Sequence, residues 1–339
     1  MERPISTEGL ATAVATSNNT SIMYPVMPTD IGQVLPFGRL LQRRGSGRLW
    51  IGQSLRLDTH QIFAALAGTG VRVPMGSGVT LAPLRHPYDA AVQARSVAAL
   101  SGTPYVAGIG PATPEFQQSL LGSAYGKPLT AMREYVTVMR GLLQGEVVRY
   151  EGEYHSLEAQ LFSLEAPPVE IGLGVLRPRM ARMAGAVADI AVTWMTPAGY
   201  IGDTLLPALA DGAAETGRKT PRVATVVHVA VARPGRDIRL TALSGAGAHL
   251  RAEHYTDMLR RGGVEAYPDN PEAGADALVE AGVFVTGTPD EIAAELDRYR
   301  RHGVDEVVLN PAGVLNTEGL GATMTDLQDI FAAVDRRRG

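Results

Sequence analysis

Glycines cluster at the end of one strand candidate, where they could bring the main chain close to a ligand. The stretch VRVPMGSGVTLAPLRHP, residues 71–87, begins with alternating apolar side chains and then places Gly76, Ser77 and Gly78 where a strand favours branched residues. Glycine at a strand end either permits a tight turn or leaves room for another group against the backbone. Both explanations fit the sequence, and the second predicts a site for a flat ligand.

A second stretch has the features of an anion site. IGLGVLRPRMARMAG begins at Ile171 as a strand, passes two glycines and reaches Pro178, which suits the first position of a helix. The free amides at such a helix start attract phosphate, and Arg177 or Arg179 would add positive charge. The alternative is an ordinary strand-to-helix turn with solvated arginines.

The residue types exclude some catalytic chemistries and leave others unsupported. The chain has no cysteine, which excludes disulfides, cysteine zinc sites, iron–sulfur clusters and thiolate nucleophiles. Its seven histidines include no pair at metal-ligand spacing, and no GxSxG motif is present. The segment GIGPATPEF, from Gly108, has Pro111 and lacks the third glycine of a dinucleotide fingerprint. We therefore predict no metal centre and no hydrolase.

Composition limits the partners and the compartment. The chain has 339 residues, 45% of them hydrophobic, and a formal net charge of -4 with scattered basic residues. This pattern predicts no nucleic-acid and no membrane partner, and the lack of cysteine favours a cytoplasmic protein. Residues 1–19 are small and polar, which predicts a flexible extension before one domain over residues 20–339.

Strand and helix patterns alternate along that domain, as in successive βα units. Helical periodicity separates eight strand candidates, which favours an α/β (β/α)₈ TIM barrel with its ligand at the carboxyl ends of the strands. An added β-hairpin is predicted at residues 147–157, and a late insertion at residues 235–282 carries a helix over residues 248–261. The strand candidates cover residues 20–26, 48–53, 71–76, 104–110, 169–174, 189–195, 222–232 and 305–311.

Taken in order, several segments resemble the luciferase-like flavin- and deazaflavin-dependent oxidoreductases. They are SGTPYVAGIGPATPEF, MREYVTVMRGLLQGEVVRYEGEYHSL, PPVEIGLGVLRPRMARMAGAVADIAVTWMTP and TGTPDEIAAELDRYRRHGVDEVVL. The third segment is most similar to the branch that uses coenzyme F420. The resemblance implies a dimeric TIM barrel with the cofactor ring across the strand ends, and a non-proline cis peptide at Gly78–Val79 behind that ring.

The same resemblance and the strand exits predict the binding residues. The cofactor, F420 or alternatively FMN, is expected to contact Gly76, Ser77, Gly78, Val79, Gly108, Gly110, Gly174, Val175, Leu176, Arg177, Arg179 and Trp194. The substrate, a small molecule or peptide, is expected to contact Tyr24, Met27 and Tyr255.

Departures from the family decide which reaction is favoured. Sugar-phosphate dehydrogenases of the F420 branch have an acidic residue and a histidine after strand two and a glutamate after strand four, whereas this chain has Gln53, Ser54 and Pro111. Abstracting a proton from an alcohol needs a base within hydrogen-bond reach. We therefore predict an F420H2-dependent reductase of an activated C=C or C=N bond, with Gln53, Ser54 or His60 as catalytic candidates. An FMN-dependent monooxygenase and a non-catalytic binding subunit remain as alternatives.

Overall fold

The computed structural model describes residues 19–337, in which parallel strands alternate with helices. The predicted extension, residues 1–19, lies outside the described residues except for Asn19, which begins the first strand. The strands of residues 19–337, numbered along the chain, are β1 (Asn19–Tyr24), β2 (Leu49–Ile51), β3 (Met75–Ser77), β4 (Thr80–Leu81), β5 (Tyr105–Gly110), β6 (Val148–Glu151), β7 (Ser156–Ala159), β8 (Val169–Gly174), β9 (Ile190–Trp194), β10 (Arg222–Val231), β11 (Phe284–Gly287) and β12 (Glu306–Asn310).

Helices cover the outside of this sheet and occupy most of the connections. A π-helical segment, Ile201–Leu205, joins α7 to α8, and Gly319 interrupts the helical backbone of α13. The helices are α1 (Ile31–Arg44), α2 (Thr59–Gly68), α3 (Pro87–Ser101), α4 (Pro114–Leu121), α5 (Pro128–Leu143), α6 (Pro178–Val187), α7 (Ala198–Tyr200), α8 (Leu206–Glu215), α9 (Ile238–Leu250), α10 (Glu253–Arg261), α11 (Pro271–Glu280), α12 (Pro289–Arg301) and α13 (Ala312–Arg336). No helix within residues 19–337 is long and apolar enough to cross a bilayer.

Eight of the strands close into a parallel barrel. The order is β1, β2, β3, β5, β8, β9, β10 and β12, with β12 pairing back onto β1. The short strands β4 and β11 extend the sheet on β5 and β10. The predicted TIM barrel is therefore confirmed, and all the strands of the barrel end on the same side.

Alternation along the strands separates two cores. Strand residues that point inward form a small hydrophobic cluster inside the barrel. The alternate strand residues point outward and pack against the helices in a much larger hydrophobic cluster. At the amino-terminal end a buried polar network closes the barrel: Glu306 Oε1 accepts from Trp50 Nε1 at 2.7 Å and from Ser21 Oγ at 2.6 Å. The inward cluster is Met23, Trp50, Val106, Ile190, Val192, Ala224, Val226 and Val308.

Strand β3 is shorter than its sequence suggests. The prediction of residues 71–76 was wrong at its start. Pro74 has no amide hydrogen to donate to a neighbouring strand, and the strand begins only at Met75. The strand continues to Ser77, which is in register with Ile51 of β2. The glycine-rich end therefore belongs to the barrel wall.

The two predicted additions are present, and the late one differs in detail. β6 and β7 form the hairpin. The carboxylate of Glu134 accepts hydrogen bonds from the backbone amides of Glu153, Tyr154 and His155, which lie between these two strands. The prediction of a single helix over residues 248–261 was wrong. Two helices, α9 and α10, cover this part of the chain, and α9 begins earlier because the Asp237 side chain caps its start. Helix α11 and strand β11 were not predicted.

Candidate functional site

A cavity of about 820 Å³ opens at the carboxyl ends of the barrel strands. The exits of the strands form its floor and sides, and the late insertion, through α9 and α10, forms one wall. Its lining residues are Met23, Tyr24, Pro25, Val26, Met27, Gly52, Gln53, Ser54, Leu55, Gly78, Val79, Leu81, Gly110, Pro111, Ala112, Thr113, Pro114, Phe116, Gly174, Val175, Leu176, Arg177, Met180, Val192, Trp194, Gly245, His249, His254, Tyr255, Asn310 and Ala312.

The floor of the cavity is the segment after β3. The peptide bond between Gly78 and Val79 is cis, as the resemblance implied. The Val79 side chain packs against Gly110 and Gly174, which have no side chains. A Cβ on Gly110 would lie 2.8 Å from Val79 Cγ2, and one on Gly174 would lie 3.6 Å from Val79 Cγ1. A Cβ on Gly108 would overlap the carbonyl oxygen of Ser77. These glycines therefore make room for the segment that carries Val79.

Most of the residues predicted to bind cofactor or substrate line the cavity, and a minority do not. Gly78, Val79, Gly110, Gly174, Val175, Leu176, Arg177 and Trp194 line it, as do the predicted substrate residues Tyr24, Met27 and Tyr255. Four predicted cofactor residues, Gly76, Ser77, Gly108 and Arg179, are not among the lining residues. Gly76 faces the barrel interior, because a Cβ there would meet the Trp50 ring at 2.9 Å.

The catalytic candidates at the end of β2 are held by local hydrogen bonds. Gln53 Oε1 accepts from the amide of Leu81 at 3.2 Å and from Arg85 Nη1 at 3.3 Å, while its Nε2 donates to the Ser54 carbonyl at 2.7 Å. Ser54 Oγ accepts from the amide of Arg56 at 3.2 Å. Both side chains border the cavity and are uncharged, so neither has the properties of a general base.

His60, the remaining catalytic candidate, does not border the cavity. Its ring lies 6.0 Å from the Tyr105 ring in an edge-on contact, and Nδ1 is 3.7 Å from Asp58 Oδ1. His60 is 7% exposed in the first turn of α2. That position faces the packing layer between helices and barrel.

The predicted anion site separates its two arginines. Helix α6 begins at Pro178, as expected, and Arg177 lines the cavity, with Nε 2.9 Å from Asp257 Oδ2. A hydrogen bond from Arg261, together with the charge of Arg177, holds the pKa of Asp257 below its usual value. Arg179 is exposed outside the cavity. Of the two arginines, Arg177 is therefore the one that lines the cavity.

The late insertion contributes two histidines that the sequence analysis did not select. His249 and His254 come from α9 and α10 and line the cavity beside Tyr255. The motif HLRAEHY, residues 249–255 of the insertion, was the available signal. His249 lies 5.0 Å from Trp194 and 6.2 Å from His228 between ring centroids.

Burial keeps the deeper histidines neutral. It lowers the pKa of His228 to about 3 and that of His249 to about 4, with smaller contributions from neighbouring histidines. Of the part of the chain that the structure describes, Arg177 is then the one formally charged residue lining the cavity at neutral pH, and no carboxylate from that part lines it. Within residues 19–337, no group of three or more His, Asp or Glu side chains could hold a metal ion.

These lowered pKa values predict a stability that decreases in weak acid. Histidine in the unfolded chain titrates near pH 6.5, so below that pH the unfolded state binds protons that folded His228 and His249 do not. Stability should fall as the pH drops from about 6.5 to about 4. In urea unfolding at pH about 7, 6 and 5, His249→Gln should reduce this decline by up to about 1.4 kcal/mol per pH unit. Identical slopes for the parent and the variant would contradict the assignment.

Comparison with known proteins adds a family and a cofactor class. The family model described as luciferase-like monooxygenase matches residues 11–306. The 5,10-methylenetetrahydromethanopterin reductase of Methanolobus tindarius is 24% identical over 306 residues, 83% of this chain and 91% of that protein. An F420-dependent glucose-6-phosphate dehydrogenase of Nakamurella multipartita is 32% identical over 179 residues, 50% of this chain and 51% of that protein.

Solved structures share the fold at low identity. An F420-dependent secondary alcohol dehydrogenase in complex with an F420–acetone adduct has a TM-score of 0.74 at 16% identity, covering 94% of this chain and 99% of the other. The monooxygenase RslO1 from Streptomyces bottropensis has a TM-score of 0.72 at 18% identity, covering 95% and 100%. The barrel is thus common to F420-dependent enzymes and to monooxygenases.

Proposed function

We propose, from the premise that this chain belongs to the luciferase-like monooxygenase family, that it is an F420H2-dependent reductase. Its substrate is a small or peptidic metabolite, and hydride is transferred to an activated C=C or C=N bond. One observation carries the direction of the reaction: among residues 19–337 no carboxylate lines the cavity, and burial lowers the pKa of its histidines, so that they are weak bases. The F420-dependent glucose-6-phosphate dehydrogenase among its relatives supports the choice of cofactor.

The residues of the cavity fit a deazaflavin cofactor. Gly78, Val79 and Gly174 line the cavity without any polar side chain and so offer an apolar surface to a flat ring. Trp194, at the end of β9, lines the cavity beside this surface. Arg177 supplies positive charge for an anionic tail. These groups would hold the cofactor across the ends of the strands.

When bound in its reduced form, F420 supplies a hydride, and the residues of the chain provide the surroundings for the transfer. Val26, Leu81, Phe116 and Met180 line the cavity with apolar surface that excludes water from an acceptor bond. Oxidation of an alcohol would need a residue that removes its proton. Gln53 has no basic atom, and the lowered pKa of His249 makes its imidazole a weak base, so neither is suited to that task. Reduction makes a smaller demand, because its proton can come from water or a neutral donor.

The choice of cofactor is tested directly by titration. F420 should bind at least about tenfold more tightly than FMN, because an F420-dependent relative favours that cofactor, while Arg177 and the amides at the start of α6 are placed to meet its anionic tail. Fluorescence titration of the purified protein with each cofactor measures both affinities. Tighter binding of FMN would assign the protein to the monooxygenase alternative, and binding of neither would support the non-catalytic one.

Hydride transfer predicts turnover without oxygen. With F420H2 carrying deuterium at its reactive carbon, an anaerobic incubation with an activated alkene or imine should place deuterium in the product. Mass spectrometry of the product and loss of the F420H2 absorbance signal would record the reaction. A strict requirement for oxygen would contradict the reductase assignment.

A further inference from the structure

Several polar atoms next to the cavity have no hydrogen-bond partner among the described residues. Trp194 Nε1, His249 Nδ1 and both ring nitrogens of His228 are buried and unpartnered. Buried polar groups are nearly always hydrogen-bonded, so such a concentration in one place calls for a ligand. We call Trp194, His228 and His249 the histidine cluster.

The barrel itself positions His228. Ala224, Val226 and His228 alternate on the inward face of β10, and the first two belong to the interior cluster, so His228 forms the next layer toward the mouth. It is 1% exposed, and its ring stacks 6.3 Å from that of Phe284 on β11. Asn310 of β12, a cavity-lining residue, is its register partner.

Helix α9 packs against His228 at Gly245, a position without a side chain. Gly245 lines the cavity, and a Cβ there would lie 3.3 Å from His228 Nδ1 and 2.8 Å from the amide nitrogen of Gly313. Since Gly245 has no side chain, the main chain of α9 can approach His228 closely. His249, one turn further along α9, brings its ring to 5.0 Å from that of Trp194. The three members of the cluster thus meet at the edge of the cavity.

The charge of the surroundings identifies the kind of ligand group. Trp194 Nε1 is a donor at any pH, and burial lowers the pKa of both histidines so that each offers one donor and one acceptor nitrogen at neutral pH. The charged Arg177 is assigned above to the anionic tail of the cofactor, so it does not compensate a second anion at the cluster. An anion placed at the histidine cluster would be buried without a compensating charge, which is strongly unfavourable. An uncharged acceptor such as a carbonyl oxygen avoids that penalty.

We propose that the histidine cluster binds an uncharged carbonyl group of the hydride acceptor, with Trp194 Nε1 and a ring nitrogen of His249 as the donors. This inference rests on the proposed function, because it takes the space beside the cofactor to be the place of the acceptor. A carbonyl conjugated with the reducible bond is polarised by such donors, and a neutral imidazole is sufficient for that purpose. The substrate class is therefore an α,β-unsaturated ketone or amide.

The first experiment compares probes that differ at one group. Protein labelled with ¹⁵N in its histidine rings is titrated with 2-cyclohexenone, cyclohexene and cyclohexene-1-carboxylate, both alone and with oxidised F420. The ring signals of His249 should shift with 2-cyclohexenone and not with the other two. If cyclohexene or the carboxylate shifts them as strongly, the proposal is overturned.

The second experiment separates the histidine cluster from the rest of the cavity wall. His249→Phe keeps an aromatic ring and removes both nitrogens, so affinity for 2-cyclohexenone should fall about tenfold or more. His254→Phe removes the same atoms from the same wall, and it should change that affinity by less than about threefold. His249→Gln, which retains a donor, should recover part of the lost affinity.

Cofactor binding decides between the two proposals. In His249→Phe the affinity for F420 should stay within about twofold of the parent. A loss of F420 affinity in place of probe affinity would assign these nitrogens to the cofactor, and equal probe losses in His249→Phe and His254→Phe would remove the special role of the cluster. If the parent protein does not bind F420, the proposed function fails, and the probe comparison made without cofactor still decides the carbonyl site.

Discussion

Gly108→Ala is expected to destabilise the protein by roughly 3 kcal/mol, at the upper end of the usual cost of overpacking, and to weaken F420 binding about tenfold or more. A Cβ at Gly108 would overlap the carbonyl oxygen of Ser77, a backbone atom that can move only if β3 moves. Because Ser77 is followed directly by the cis-linked Gly78 and Val79, that movement would displace the cavity floor. Urea unfolding and F420 titration of the variant measure the two effects.

Other glycines provide a graded comparison. A Cβ at Gly110 would press on the Val79 side chain at 2.8 Å, which is a smaller obstacle than backbone, and a Cβ at Gly174 would make an ordinary contact at 3.6 Å. We expect the loss of stability to decrease from Gly108→Ala through Gly110→Ala to Gly174→Ala. Gly68→Ala, in α2, meets nothing within 4 Å and serves as the control. If Gly108→Ala were as stable as Gly68→Ala, the steric account of the floor would be wrong.

Arg177→Gln is expected to weaken F420 binding about tenfold or more, equivalent to about 1.4 kcal/mol. The residue lies at the start of α6 and, among the described residues, is the charged side chain that lines the cavity. Removing it leaves only backbone amides to stabilise an anionic tail. F420 titrations at low and high salt should show a shallower salt dependence in the variant, because one charge interaction is lost.

Two further variants make this test specific. Arg179→Gln changes the same type of side chain two residues away, outside the cavity, and should leave F420 affinity within about twofold. Asp257→Asn removes the carboxylate that lies 2.9 Å from Arg177 Nε and should strengthen binding of the anionic tail. Equal effects of Arg177→Gln and Arg179→Gln would indicate that the phosphate tail lies elsewhere.

The barrel could be predicted from the sequence because its signals are local. Period-two apolar runs and helical periodicity depend on near neighbours in the chain, and they located all eight barrel strands. The errors arose where local signals were weak or conflicting. Val71 and Val73 have a strand pattern, but Pro74 follows them and has no amide hydrogen, so β3 begins only at Met75. In the insertion, one helix was predicted where Asp237 caps an earlier one.

The candidate site could be predicted in part for the same reason. In a parallel barrel all strand exits meet on one side, so Gly78, Val79, Gly174 and Arg177 could be grouped without knowing any contact. Which face a residue presents was harder to infer. Gly76 in β3 and Gly108 in β5 both belong to glycine-rich strands, yet a side chain on Gly76 would face the barrel interior and one on Gly108 would face the Ser77 carbonyl.

The sequence by itself determined the barrel, the side on which the site lies and, through the family resemblance, the place of the cis peptide. Only the tertiary structure decided which groups face the cavity and in what state of charge. His249 is 55 positions from Trp194 along the chain, since 249 − 194 = 55, and the two meet because α9 folds over the mouth of the barrel. Burial there lowers the pKa of His249 to about 4, and burial depends on what packs around a residue rather than on its neighbours in sequence.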